Sequence, residues 1–135
     1  MSNRREVVVA SGVRTAIGDY GGSLKDFSPT DLAARCLREA LSRASVAPEE
    51  VGHVVFGNVI HTEAKDMYLS RVAAMNGGIP KEVPAMTLNR LCGSGLQAII
   101  SAAQMVALGD CDIAVAGGAE SMSRSNYWLP TARWA

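Results

Sequence analysis

The stretch Asn89-Arg90-Leu91-Cys92-Gly93-Ser94-Gly95-Leu96 decides the fold. Before it, Ala85 to Asn89 reads as a short strand; after it, the chain runs to Gly109 without a charged residue. Gly93 and Gly95 permit a tight turn between the two. A strand that passes through a glycine turn into a helix, with a reactive side chain at the bend, resembles a nucleophile elbow. A thiol at that place lies at the positive end of the helix dipole, beside backbone N–H groups that favour the thiolate. The local pattern alone is equally compatible with Cys92 as a small buried residue in a turn without chemistry.

The uncharged run from Leu91 to Gly109 is long enough to raise the question of a membrane span. Ser94, Gln97, Ser101 and Gln104 recur along it at steps of three, four and three, giving one polar stripe on a helix. That stripe predicts a helix enclosed by protein instead of lipid.

Further out, three more runs read as strands: Glu6 to Ser11, His53 to Asn58 and Asp112 to Gly117. Each of the three carries consecutive apolar residues instead of alternation, as expected of strands covered on both faces. Helical segments separate them. Ser28, Pro29, Thr30 and Asp31 supply a cap, a proline at the first position and an acid in the first turn. Behind them Leu32, Ala33, Cys36, Leu37, Ala40, Leu41 and Ala44 form an apolar stripe, which places Cys36 in the core. A second helix is expected over Asp66 to Met75, ending at Asn76-Gly77-Gly78. The class is therefore α/β, with a parallel-strand core in the order βαβαβαβ and helices on both faces. Residues 1–120 are expected to form one domain. Ser121 to Ala135 has no clean period and reads as the start of a connection to further polypeptide, with Tyr127, Trp128 and Trp134 in need of cover.

Thirteen basic and thirteen acidic residues balance to zero net charge in 135 residues. No run of one sign is present, which argues against nucleic acid or a membrane surface as partner. Three cysteines without metal spacing argue for no metal site and for a reducing compartment, the cytoplasm by default. Met1 to Glu6 passes directly into Val7-Val8-Val9, so no signal peptide is expected.

The run Asn89 to Leu96, with Gln97 and Ala98, resembles the active-site signature of thiolases. Two further stretches resemble thiolase landmarks in the same order: Ser11 to Gly18 leading to Gly21-Gly22-Ser23-Leu24-Lys25-Asp26, and Gly117-Gly118-Ala119-Glu120-Ser121-Met122-Ser123. Ala16 stands where many relatives have proline. The segment His61 to Tyr68 looks more like a subset of bacterial β-ketothiolases than like acetoacetyl-CoA enzymes.

The resemblance implies the amino-terminal, incomplete half of a thiolase fold. It implies acyl transfer between coenzyme A thioesters, a condensation to 3-ketoacyl-CoA or its reversal, with Cys92 as acyl acceptor and its N–H in an oxyanion hole. It also implies a homodimer or homotetramer, acyl-CoA substrates and no permanently bound cofactor. The Gly-His-Pro histidine, the second cysteine of Cys-x-Gly-Gly-Gly and the Asn-Glu-Ala-Phe segment of the family do not occur here, nor does the loop domain, so this chain alone is expected to be inactive. Coenzyme-binding residues stay unassigned. A ketoacyl-synthase-like condensing enzyme and a non-catalytic scaffold or oligomerisation module are the alternatives.

Among other candidates, His53 and His61 read as structural histidines, and Cys111 as a structural cysteine. Gly21 and Gly22 lack the Gly-Lys-Ser/Thr that a phosphate loop requires. Glu120 is the best-placed carboxylate, at a strand end, and the resemblance suggests scaffolding near the site and subunit contact for it.

Overall fold

A computed structural model describes residues 5–134. Three parallel strands, β1 (His53–Gly57), β2 (Ala85–Leu88) and β3 (Ala114–Gly118), form one sheet in the order β2-β1-β3. Gly57 is in register with Leu88 on one side and Gly118 on the other, so all three strands end level.

β1 is the central strand, and its alternation divides the core. Val54 and Phe56 face α1 (Pro29–Ala44) and α2 (Leu69–Gly77), where they pack with Leu37, Leu41 and Leu69. Val55 faces the other way, against Ala98 and Ala102 of α3 (Ser94–Leu108). Helices thus lie on both faces, as an apolar central strand demands.

Helix α1 starts where its cap predicts: the Ser28 hydroxyl accepts the Asp31 N–H at 3.2 Å, and Ser45 closes the helix in the left-handed region. Its stripe splits in two. Ala33, Leu37 and Leu41 are buried, whereas Cys36 is only half-buried, contrary to the core position expected for it. The reason is a cleft of about 690 Å³ lined by Cys36, Ala40 and Ala44 on one side and by residues 6–15 on another.

The same cleft explains the missing strand. Glu6 to Ser11 was expected to pair, and instead it has no ladder partner among the described residues, leaving Val8 74% and Val9 83% exposed. A strand exists only through its neighbour, and the cleft separates this segment from the free edge of β3. It is held by Ser11 Oγ donating to Ala40 O at 2.8 Å and by an Arg5–Asp112 ion pair at 2.5 Å.

One helix boundary and one expectation of burial also change. The second helix begins at Leu69, not Asp66, because the Asp66 carboxylate accepts the Thr62 N–H, the Thr62 hydroxyl and the Glu63 N–H and ties residues 62–68 into a separate 3₁₀ turn. The enclosed helix expected of the uncharged run is also not what forms: in α3 only Ser94, Ala98 and Ala102 are buried, and Leu96, Ile99, Ile100 and Leu108 stand exposed. One sheet face covers one stripe of a helix, and no described residue covers the remainder.

Candidate functional site

At the carboxyl ends of the three strands the chain leaves the sheet in three connections, Asn58–Ile60, Asn89–Gly93 and Ala119–Ser121, and the candidate site lies there. Ligand sites of open α/β sheets gather at this end.

The first turn of α3 closes over the sheet end. A Cβ on Gly57 would stand 2.6 Å from the Cβ of Ser94, and one on Gly118 would stand 3.2 Å from the Cα of Gly95. Glycine at both strand ends is what allows the approach. The helix start is then fixed against the sheet, and Cys92, two residues earlier, is exposed at the bend.

The bend itself is pinned by side chains. Leu91 adopts φ +49°, a left-handed conformation that costs a β- or γ-branched residue about 1–3 kcal/mol. Its N–H donates to Asn89 Oδ1 at 2.9 Å. Its carbonyl accepts the Ser94 hydroxyl at 2.6 Å and the Ser94 N–H at 3.0 Å. The same Ser94 oxygen accepts the Arg90 N–H at 2.8 Å. Arg90 is turned along the helix onto Gln97 Oε1. In the first turn of α3 the N–H groups of Gly95 and Leu96 have no backbone acceptor among the described residues, so they can meet an incoming oxygen.

Beside the bend, Glu120 organises the connection after β1. Its carboxylate accepts the N–H of Val59, the N–H of Ile60 at 3.2 Å and the Asn58 side-chain amide at 3.3 Å. Asn58 is itself buried and donates to Ala119 O at 2.9 Å, which links the ends of β1 and β3. Glu120 therefore lies at the site end of the sheet with its oxygens taken up by two backbone N–H groups and the Asn58 amide, as the scaffolding part of the expectation requires.

The two histidines separate. His53 opens β1, four residues before Gly57, about 13 Å from the site end at ~3.3 Å per residue, and cannot reach Cys92. His61 is at the correct end, exposed, with its carbonyl accepting from Asn126. Cys111 lies at the opposite end, packed against Gly52. Burial pushes its thiol up, Asp110 and Asp112 push the same way, and Arg5 opposes them. Gly21 donates its N–H to Ser123 Oγ at 2.9 Å, so that glycine turn docks on the segment after β3.

Sequence reading singled out Cys92 and Glu120 and missed Asn58 and Ser94 as organisers. A polar residue closing the apolar run of β1 was the one signal for Asn58; Ser94 was absorbed into the polar stripe of its helix. Among the described residues no group of His, Cys, Asp and Glu is arranged to hold a metal. What the arrangement supplies is an exposed thiol on a braced turn beside open N–H groups.

Residues 7–135 match the family model described as the thiolase N-terminal domain. A beta-ketothiolase, BktB, of Cupriavidus necator is 68% identical over 130 residues, which cover 96% of this chain and 33% of that protein. The mitochondrial 3-ketoacyl-CoA thiolase of Bos taurus is 46% identical over 134 residues, 99% of this chain and 34% of that one. Among solved structures, the acetyl-CoA acetyltransferase of Bacillus anthracis superposes with a TM-score of 0.92 at 42% identity, over 97% of this chain and 33% of that one. Human mitochondrial 3-ketoacyl-CoA thiolase in complex with CoA superposes at 0.91 and 42% identity, over 94% and 32%. The chain spans about a third of the length of the curated relatives it matches. With the elbow, the parallel α/β sheet and these likenesses together, the chain belongs to the thiolase family, and its residues 7–135 correspond to the amino-terminal domain.

Proposed function

We propose that Cys92 is the acyl acceptor of a thiolase-type acyl transfer between coenzyme A thioesters. The observation that carries the reading is the exposure of the Cys92 thiol on the Asn89–Ser94 bend, at the first turn of α3 and the carboxyl end of the sheet. The thiolate sulfur attacks the thioester carbonyl carbon, and the coenzyme A sulfur leaves as thiolate and takes a proton. The acyl group then passes to the α-carbon of a second acyl-CoA that has lost a proton, giving a 3-ketoacyl-CoA and the free Cys92 thiolate. Thiolysis is the same path reversed.

His53 stands at the far end of the sheet from Cys92, and among the described residues no hydrogen bond joins His61 to the thiol. In this reading the base and the acid for the second half-reaction are the Gly-His-Pro histidine and second cysteine that the resemblance implies for the rest of a thiolase. Under this reading residues 1–120 are the amino-terminal domain and 121–135 lead to the remaining machinery. Coenzyme A thioesters act as substrates with no permanently bound cofactor, the assembly is a homodimer or homotetramer, and three unpaired cysteines suit the cytoplasm.

Brief exposure of the full-length chain to acetyl-CoA, followed by peptide mapping, tests the proposal. Acetyl on the Cys92 peptide, lost in Cys92→Ala, is the expected result. A folded chain that is never acetylated there, with three cysteines alkylated alike by iodoacetamide, overturns it in favour of a scaffold.

A further inference from the structure

We infer that Ser94 is a positioning residue for Cys92: its hydroxyl clamps the backbone on both sides of Leu91 and holds the turn that presents the thiol. The inference rests on Cys92 being the reacting group of this site, and its test is separable from that reading.

Leu91 and Ser45 are the only non-glycine residues with positive φ among the described residues. Ser45 ends a helix, where backbone bonds to the last carbonyls explain the conformation. Leu91 is not at a helix end: it sits in a turn closed by the Gly93 N–H on Arg90 O at 3.1 Å, with the Ser94 N–H on its carbonyl at 3.0 Å and Asn89 Oδ1 on its N–H at 2.9 Å, and its side chain is 69% exposed. With so little side-chain cover, hydrogen bonds are what keep it left-handed. Two local ones come from a single atom, Ser94 Oγ, which accepts from Arg90 N at 2.8 Å and donates to Leu91 O at 2.6 Å.

That atom is anchored. Ser94 is buried, and its backbone lies against Gly57 so closely that a Cβ at residue 57 would be 2.7 Å from the Ser94 carbonyl carbon and 2.8 Å from its oxygen. The end of the central strand fixes Ser94, Ser94 fixes Leu91, and Leu91 fixes the direction in which Cys92 leaves the turn. Without the hydroxyl, Leu91 relaxes towards negative φ and carries the next residue away from the first-turn N–H groups of Gly95 and Leu96. Alanine at residue 94 retains the Cβ and deletes only the clamp.

The test is the rate of Cys92 alkylation by iodoacetamide in the full-length chain, read by peptide mapping, with Cys111 as internal control. Ser94→Ala is expected to slow Cys92 by about tenfold or more and leave Cys111 unchanged, since small misplacement of a reacting atom is enough for such a loss. Glycine accepts positive φ without strain, so Leu91→Gly should make the clamp dispensable, and adding Ser94→Ala to it should change the rate by less than about threefold. If Ser94→Ala alone does not fold, this second pair decides. A Ser94→Ala rate within about threefold of the parent, or a full loss persisting in the Leu91→Gly background, overturns the clamp. Fast alkylation that responds to Ser94→Ala without any acetylation by acetyl-CoA would retain the clamp and remove the acyl-acceptor reading.

Discussion

Gly57 and Ser94 meet where the central strand ends and α3 begins, with no room for a side chain between them: a Cβ on residue 57 would stand 2.6 Å from that of Ser94. The atoms it would strike are backbone as well as side chain, so nothing can swing aside. Gly57→Ala must push the start of α3 off the sheet. We expect about 1–3 kcal/mol of destabilisation in urea titration, the range for overpacking. Gly118→Ala, with 3.2 Å to the Cα of Gly95, should be milder. Equal stability of Gly57→Ala and the parent would show that the contact is slack.

Glu120 accepts the Val59 and Ile60 N–H groups, and an amide in its place would turn donors towards donors. These bonds lie open to water, so Glu120→Gln is expected to destabilise by about 0.5–1.5 kcal/mol, the net worth of an ordinary hydrogen bond. Amide hydrogen exchange gives the local readout. Val59 and Ile60 should exchange much faster in the variant, with β1 itself unaffected; unchanged protection at both would contradict the assignment.

Asp66 is buried, and one carboxylate oxygen serves three donors of residues 62 and 63. Asp66→Ala strands all three at once and should cost about 2–3 kcal/mol. Because α2 begins beyond it, limited proteolysis should find new cuts within residues 61–68 while α2 stays protected. Cleavage inside α2 instead would mean that Asp66 supports the helix and not the turn.

Cys111 should titrate late. Burial raises its thiol above the ordinary ~8.5, Asp110 and Asp112 add to the rise, and Arg5 partly offsets them. The folded chain then holds this proton more tightly than the unfolded chain does. The resulting stability is fully present below the unfolded value and declines as pH rises through the folded one. Urea midpoints measured from neutral pH upward should fall less steeply in Cys111→Ser. Alkylation of Cys111 should lag behind that of a free thiol at mildly alkaline pH; a rate equal to the free thiol's would refute the shift.

How much was legible in the sequence follows from the range of each interaction. The start of helix α1 was readable to the residue because its cap, proline and first-turn acid are neighbours in the chain. The strand-turn-helix order around Cys92 was readable because glycine spacing and the loss of charge are local properties too. Glu6 to Ser11 was misread for the opposite reason: three valines give a local preference for extended backbone, while pairing depends on what stands alongside, here a cleft. Cys36 followed the same logic, since a helical period shows which residues share a face but not how far the opposing surface extends.

By itself the sequence determined an α/β chain with parallel strands, the bend that carries Cys92 and the family to which these residues belong. Only the tertiary structure decided that β1 is central, that Gly57 and Gly118 seat α3 on the sheet, and that Ser94 and Glu120 brace the site while His53 stands at the far end. Local propensity acts between residues a few positions apart and is written in their order. Close approach between residues 57 and 94, or a carboxylate at 120 meeting amides at 59 and 60, exists only after the sheet has set its register, because that register fixes which strand ends coincide.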